Sequence, residues 1–331
     1  MAEKIKKITK SFKSVGVENI LTRWRMQKSS RILISLLRYM LLFSLSYIIL
    51  YPLLYMLSNS FKSLDQAIDP SVVWVPKSIT LENFATAAEG MKYWSGLWVT
   101  LGVNIVSALI EVGVCCIIGY GFARFNFREK KLLFALVMLT VIIPPQAIIA
   151  PLYLNFRYMD FFGLLKIIGN IIGKDIRLDW INTPLTFYIP SIFGVGLRSG
   201  LFIFIYRQFF KGMPVELEEA AYVDGAGPFR TFLRIMIPSA GPALLTVLIF
   251  SVVWHWNDYY LSAMLFDKNY PLAVNLSFIR SGLTFDAGTN ATLIRPILMA
   301  GCFLFILPIL IMYIFLQRYF LRSIERVGIV G

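Results

Sequence analysis

A short segment near residue 256 combines aromatic, amide and carboxylate side chains within an otherwise apolar run. The segment is Trp254-His255-Trp256-Asn257-Asp258. Flat aromatic faces cover the C–H surfaces of a sugar ring, and amide or carboxylate groups hydrogen-bond its hydroxyls. A charge at bilayer depth costs about 2.5–3.5 kcal/mol, so this carboxylate needs a reason to be there. We expect either a pore lining that contacts substrate or a structural polar cluster at the membrane surface, where Trp and Tyr gather.

Three other polar residues lie within apolar runs. Asn104 and Glu111 can line a pore or form hydrogen bonds between helices. Arg198 can reach the membrane surface, pair with an acid or contact a substrate hydroxyl or carboxylate. The candidate pore residues are therefore Asn104, Arg198, Trp254, Trp256, Asn257 and Asp258.

No catalytic or metal-binding set follows from the sequence. There is no G-x-x-x-x-G-K-[ST] phosphate loop, no G-x-S-x-G elbow and no H-E-x-x-H pair. His255 is the only histidine, and Cys115, Cys116 and Cys302 fall inside apolar runs without metal spacing. We therefore expect no ATPase site, no catalytic residue, and no metal or cofactor in this chain.

The composition predicts an all-α integral membrane protein. Apolar residues make up 57% of the 331 residues and charged residues only 15%, against about a quarter charged in soluble domains. The formal charge of +13 would suggest a nucleic-acid partner in a soluble protein. Here the basic residues flank apolar spans, so the bilayer explains them and no nucleic acid is expected.

Six apolar runs have roughly the length needed to cross a bilayer. They are Tyr39–Leu57, Leu97–Tyr120, Leu132–Leu154 (broken by Pro144-Pro145 and Pro151), Pro184–Tyr206, Ala240–Phe266 and Pro296–Leu316. We expect one transmembrane domain, residues 39–316, between a basic segment (1–38) and a short basic tail (317–331). Lys and Arg favour the segments that this topology places inside, so both termini are predicted to be cytoplasmic.

The basic N-terminal segment either attracts anionic lipid or only sets the orientation. The loop 155–182 is predicted to hold a short surface helix near residues 163–172.

The segment 214–242 is the longest polar interruption in the second half of the chain. Pro214 suits the first turn of a helix, and the glutamates that follow suit the positive end of the helix dipole. Gly225 can adopt the left-handed conformation that ends a helix. Pro228 can open a second helix, from 229 to 237, before Pro238 breaks the chain. We predict two short helices joined at a glycine hinge, a shape that can enter a groove on another protein.

The same segment resembles the EAA signature of permease subunits of bacterial ABC importers. The resemblance is carried by Glu219-Ala220-Ala221, Asp224-Gly225-Ala226 and Ile237-Pro238. The triplet Trp256-Asn257-Asp258, and the stretch from Trp74-Val75-Pro76 to Thr80-Leu81-Glu82-Asn83-Phe84, resemble the carbohydrate-uptake, maltose-type, binding-protein-dependent branch of that family.

The resemblance implies a six-helix permease bundle, the type I ABC importer fold, with a cytoplasmic coupling helix in the loop 207–238. It implies that Glu219 makes polar contact with an ATPase subunit, that Ala220 and Ala221 permit close approach, and that Asp224 and Gly225 form the turn.

The implied function is sugar import by alternating access across a bacterial cell (inner) membrane. The implied partners are ABC ATPase subunits, on which ATP and Mg act, a second homologous permease, usually in a heterodimer, and an extracellular or periplasmic solute-binding protein. The alternative is an ion-coupled secondary transporter of a small polar solute using Asp258, Glu111 and Arg198, although it leaves the EAA segment unexplained.

Overall fold

The computed structural model describes residues 2–160, 163–173, 178–282 and 291–328, which form helices and connecting loops. The chain divides into two compact units, Met1–Ser58 and Asn59–Gly331. The first unit lies within the long helix α1 (Ala2–Ser60). Its stretch from Arg31 onward is long and apolar enough to cross a membrane, and Pro52 is accommodated inside it.

The second unit holds the remaining helices, which are numbered in chain order. They are α2 (Leu64–Ile68), α3 (Glu82–Gly90), α4 (Tyr93–Arg124), α5 (Lys130–Ile142), α6 (Pro145–Arg157), α7 (Leu164–Ile172), α8 (Leu185–Ile192), α9 (Ser199–Gly212), α10 (Glu216–Val223), α11 (Pro228–Thr231), α12 (Ile237–Ser239), α13 (Gly241–Trp256), α14 (Tyr260–Leu265), α15 (Leu272–Ser277), α16 (Ile279–Gly282) and α17 (Ala291–Gly328). The short surface helix predicted near 163–172 is confirmed as α7.

Within the described residues, three helices can cross a membrane by length and composition, or up to five if each bent pair counts as one span. The three are α1, α4 and α17. The bent pairs are α5 with α6, at 101°, and α11–α12 with α13, at 74°. The predicted break at Pro144-Pro145 is confirmed, because α5 ends at Ile142 and Pro145 opens α6. The break predicted at Pro151 is wrong, since α6 continues through it.

The fourth predicted span is wrong as a single helix. It divides into α8 and α9 around residues 193–198, where Gly194 and Arg198 both have left-handed backbones (φ +69° and +64°). Val195 N–H donates to the Pro190 carbonyl at 2.9 Å, which closes the end of α8. Irregular backbone at membrane depth is tolerated only where its polar groups are satisfied inside the protein.

Two further helix boundaries differ from the prediction. The fifth predicted span, Ala240–Phe266, is interrupted because α13 ends at Trp256 and α14 begins only at Tyr260. The second helix predicted in the segment 214–242 does not stop at Pro238. A π-helical turn at residues 232–236 changes the backbone pairing just before the proline, so helical structure continues to Ser239.

Helix α4 occupies the centre of the second unit and packs against α8, α9 and α13. The largest buried cluster forms around its second half, where Tyr120 contacts Phe210 of α9 and Phe232 of the π turn. Close approach of α4 to α9 depends on Gly119, because a Cβ there would lie 2.5 Å from Tyr206 Cβ. Small residues permit this kind of packing between membrane helices.

The segment after α1 is fastened to α3 by buried polar side chains. Asn83 Nδ2 donates to the carbonyls of Ser60 (2.9 Å) and Lys62 (2.7 Å). Lys62 Nζ donates to the Val72 and Val73 carbonyls, each at 2.9 Å. The asparagine of the T-x-x-N-F pattern is therefore a structural anchor.

We predict that Gly119→Ala destabilises the protein, because the new methyl group would press against Tyr206 at the α4–α9 contact. Overpacking of this kind costs about 1–3 kcal/mol. Gly113→Ala on the same helix is the matched control, since no atom lies within 4 Å of its Cβ position. It should leave stability unchanged or raise it by about 0.5–1 kcal/mol. Thermal unfolding in detergent measures both, and equal midpoints would contradict the packing.

Candidate functional site

The segment 214–242, called the coupling segment after the role that its resemblance implies, has the predicted shape of two helices joined at a glycine. Helix α10 ends at Val223, and Gly225 follows with φ +77°, the left-handed conformation that favours glycine. Gly227 is extended, and Pro228 is the first residue of α11. The prediction that glycine forms this hinge is confirmed.

Helix α10 has one exposed face and one buried face. Glu216, Glu219, Ala220 and Val223 lie on the exposed face, and Val223 is 87% exposed. We call these four residues the exposed face of α10. Ala221, which was predicted to approach a partner, is buried at 4% exposure and packs inside this chain instead.

The buried face of α10 is fastened to the end of α4 by a charged cluster. Glu218 is 5% exposed; its Oε1 accepts a 2.6 Å hydrogen bond from the Tyr120 hydroxyl, and its Oε2 lies 3.1 Å from Arg124 Nε. Arg124 Nη2 also donates to the Met213 carbonyl at 2.9 Å, in the turn before α10. We call Tyr120, Arg124 and Glu218 the α4–α10 junction. Asp224 and Gly225 lie beyond it and are exposed.

Sequence reasoning missed the α4–α10 junction. The helix-dipole argument gives Glu218 no partner, the resemblance assigns a contact only to Glu219, and Arg124 enters only among the basic residues that indicate orientation. The sequence signal that could have indicated this junction is the spacing of two residues at the end of α4. Tyr120 and Arg124 are four residues apart and share one face of α4, and their span ends at the same side of the membrane as the glutamate-rich loop.

A second buried polar cluster surrounds Glu111 in the middle of α4. Its carboxylate accepts hydrogen bonds from Ser251 (2.6 Å), Ser191 (3.3 Å) and Ser199 (3.5 Å), and His255 Nε2 lies 3.3 Å from its Oε2. These residues come from α13, α8 and α9, so one carboxylate links α4 to three helices. Of the roles expected for Glu111, hydrogen bonding between helices is the one that the geometry displays.

Among the predicted pore residues, the structure brings Arg198 and Trp254 together. The Arg198 guanidinium lies 5.6 Å from the centre of the Trp254 ring. Arg198 is exposed and lines a cavity of about 330 Å³ beside the break between α8 and α9. Most of the other lining residues are apolar, including Val141, Ile148 and Leu265.

The other predicted pore residues make local or structural contacts. Asn104 is buried, and its Nδ2 donates to the Val252 carbonyl at 3.0 Å. Trp256 is 3% exposed and donates to the Phe305 carbonyl of α17. Asp258 accepts hydrogen bonds from the backbone and hydroxyl of Ser262, in the first turn of α14.

Asn257 is the member of the triplet that reaches the surface. It is exposed, and its Nδ2 donates back to the Val253 carbonyl at 2.8 Å. Among the described residues, no group of three or more His, Cys, Asp and Glu side chains is arranged to hold a metal ion.

These features define a helical membrane protein in which a short helix with one exposed face, α10, is fastened to the end of the long apolar helix α4. The family described as binding-protein-dependent transport system inner membrane component matches residues 115–326, and the chain belongs to this family. Membership implies that the protein works with a separate binding protein.

Individual relatives and a solved structure agree with this assignment. The chain is 28% identical over 297 residues to the arabinooligosaccharides transport system permease protein AraQ of Halalkalibacterium halodurans, covering 87% of this chain and 93% of that protein. It is also 28% identical over 297 residues to the glucose import system permease protein GlcU of Saccharolobus solfataricus, covering 88% and 94%. The crystal structure of a bacterial ABC transporter involved in the import of the acidic polysaccharide alginate has the same fold, with a TM-score of 0.63 at 18% identity over 88% of this chain and 98% of that chain.

We predict that Ser251→Ala destabilises the helix bundle, because it removes the shortest hydrogen bond to the buried Glu111 carboxylate. Hydrogen bonds to charged groups contribute about 1.5–3 kcal/mol. Ser239→Ala is the control: its hydroxyl is exposed and donates to the Ile235 carbonyl of its own turn, so we expect a change within about 0.5 kcal/mol. Unfolding in SDS–detergent mixtures measures both. Equal stability of the two variants would contradict the proposed role of the cluster.

Proposed function

We propose that this chain is the permease subunit of an ATP-driven, binding-protein-dependent sugar importer. Family membership supports the importer class. The names of its relatives support a sugar or oligosaccharide substrate, since AraQ is described as transporting arabinooligosaccharides and GlcU as part of glucose import. A solute-binding protein delivers the sugar to the external side of the pore, and transport proceeds by alternating access.

The observation that carries the proposal is the exposed face of α10. Val223 is an apolar side chain with 87% exposure, and Glu219 and Ala220 flank it on a helix whose other face is buried. A helix that offers one anchored face and one accessible face can lay the accessible face into a groove of a partner. We assign that partner as an ABC ATPase subunit. Glu219 supplies a polar contact and Ala220 permits close approach.

ATP, with Mg, acts on the ATPase subunits. Closure of these subunits displaces α10, and α10 then biases the permease between inward-facing and outward-facing states. A partner shifts such an equilibrium only through contacts that differ between the two states. Asp224 and Gly225 set the direction of the chain leaving α10 and thereby keep its exposed face accessible.

The substrate path is completed by a second, similar permease, as a heterodimer. In this chain, three of the pore candidates remain available to a substrate. Arg198 and Asn257 are exposed, and Trp254 lies against Arg198. Asn104, Trp256 and Asp258 position the helices around them. Arg198 is suited to contact a sugar hydroxyl or carboxylate at the break between α8 and α9.

The proposed orientation places α10 and both termini in the cytoplasm of a bacterial cell, with the protein crossing the cell membrane several times. The excess of basic residues in the predicted inside segments supports this orientation. The ion-coupled alternative has lost its support. Glu111 is enclosed by serines and His255, and the family is one of binding-protein-dependent transport systems.

We predict that Val223→Asp weakens binding of the ATPase subunits by about tenfold or more, because a carboxylate would be forced into the docking groove. Val75→Asp is the matched control, since Val75 is 80% exposed in the loop before α3. Co-purification of the ATPase with a tagged permease measures the effect. Equal recovery of ATPase with both variants would contradict docking through the exposed face of α10.

We also predict that Gly225→Ala lowers sugar uptake about tenfold, because a left-handed backbone costs a residue with a Cβ about 1–2 kcal/mol. Gly227→Ala is the control in the same turn. Its φ is −74°, and neither glycine has a neighbour within 4 Å of its Cβ position. Uptake into cells distinguishes them, and a larger loss from Gly227→Ala would refute the role of the hinge.

A further inference from the structure

We propose that the α4–α10 junction is the joint through which α10 moves α4, so that ion pairing between Arg124 and Glu218 determines how much ATP hydrolysis becomes transport. This inference rests on the proposed function and adds the route by which displacement enters the transmembrane helices. It makes Arg124, Glu218 and Tyr120 positioning residues, since they lie behind the exposed face of α10.

The contacts of Glu218 show why the junction acts as a rigid connection. Both carboxylate oxygens are engaged, one by the Tyr120 hydroxyl at 2.6 Å and the other by Arg124 Nε at 3.1 Å. The side chains of Arg124 and Glu218 are only 10% and 7% exposed. Exposed ion pairs contribute little because water screens them, whereas removing one partner of a buried pair leaves an uncompensated charge. Separation of α10 from α4 is therefore costly, and the two elements move together.

Arg124 also connects α9 to the junction. Its Nη2 donates to the Met213 carbonyl at 2.9 Å, directly after α9 ends. One guanidinium therefore joins the end of α4, the end of α9 and the start of the coupling segment. A displacement of α10 acts on both packed helices at once.

Helix α4 carries the displacement to the middle of the membrane. Tyr120 and Arg124 lie in its last two turns, and Glu111 lies further along the same continuous helix. There the Glu111 carboxylate binds Ser251 of α13 and Ser191 of α8, next to the break that contains Arg198. The helix therefore links the coupling segment to the candidate pore.

The covalent route from α10 to α13 is the competing explanation. It passes through α11, a π-helical turn and a 74° bend before α13. These features make it less direct than α4. Variants at the junction leave this covalent route unchanged, so they distinguish the two routes.

The test uses the full transporter, with its ATPase subunits, second permease and binding protein, reconstituted in lipid vesicles. Sugar uptake and ATP hydrolysis are measured together. Glu218→Gln and Arg124→Gln should each lower the sugar transported per ATP by about tenfold or more, while ATPase subunits still co-purify. The double variant Glu218→Arg, Arg124→Glu should recover much of that ratio.

Tyr120→Phe and two exposed neighbours complete the design. Tyr120→Phe removes the hydrogen bond to Glu218 but keeps the ring that packs against Phe232, so we expect a smaller loss in transport per ATP. Arg128→Gln and Glu129→Gln change the same residue types at exposed positions in the loop after α4. These two should behave as the unmodified protein.

The outcomes separate the inference from the function on which it rests. If the unmodified permease binds no ATPase subunit, the proposed function fails. If the ATPase binds but the junction variants keep the normal ratio of transport to hydrolysis, the inference alone fails. A parallel fall in uptake, hydrolysis and protein yield, without recovery in the charge-swapped variant, would reduce the junction to a structural role and also overturn the inference.

Discussion

The attachment of α10 to α4 depends on one electrostatic constraint. The side chains of Glu218 and Arg124 are almost completely removed from water beside each other, and leaving either charge unpaired there would be costly. A charge removed from water must be paired, and this requirement holds α10 against the end of α4. In the middle of α4, the buried Glu111 side chain accepts hydrogen bonds from serines of α13, α8 and α9, and His255 Nε2 lies 3.3 Å from it. These two acidic groups explain why α4 is in contact with both the coupling segment and the helices around the candidate pore.

Packing reinforces what the charges specify. Gly119 lets α4 and α9 approach closely, and Tyr120 serves both as hydrogen-bond donor to Glu218 and as a packing surface for Phe232. On the opposite side of α10, Val223 and the other residues of its exposed face are not covered by any part of the chain that the structure describes. One face of a short helix thus belongs to this subunit, and we assign the other face to an ATPase. In this proposal an ATPase bound to the exposed face displaces α4, because the other face of α10 is fastened to it.

Much of this organisation could be predicted from the sequence. Proline and glycine positions fixed the two helices of the coupling segment, the turn at Gly225 and the break at Pro144-Pro145, because those residues act through local backbone geometry. Features set by tertiary contact could not be predicted. The inward position of Ala221, the pairing of Arg124 with Glu218 and the left-handed Arg198 depend on neighbours distant in sequence. The Trp256-Asn257-Asp258 triplet shows the same limit, because its pattern is compatible with both pore lining and a structural role. The structural roles become visible only in the contacts of Trp256 with Phe305 and of Asp258 with Ser262.

The most direct test of the rigid connection replaces the ion pair by a covalent one. Arg124→Cys and Glu218→Cys together remove both charges, and a short thiol-specific crosslinker can then join the two positions in the assembled transporter. Single-cysteine variants control for the native thiols. We predict that the double variant hydrolyses ATP with little transport until it is crosslinked, and that crosslinking restores transport. Normal transport before crosslinking, or transport that remains absent after complete crosslinking, would contradict the account.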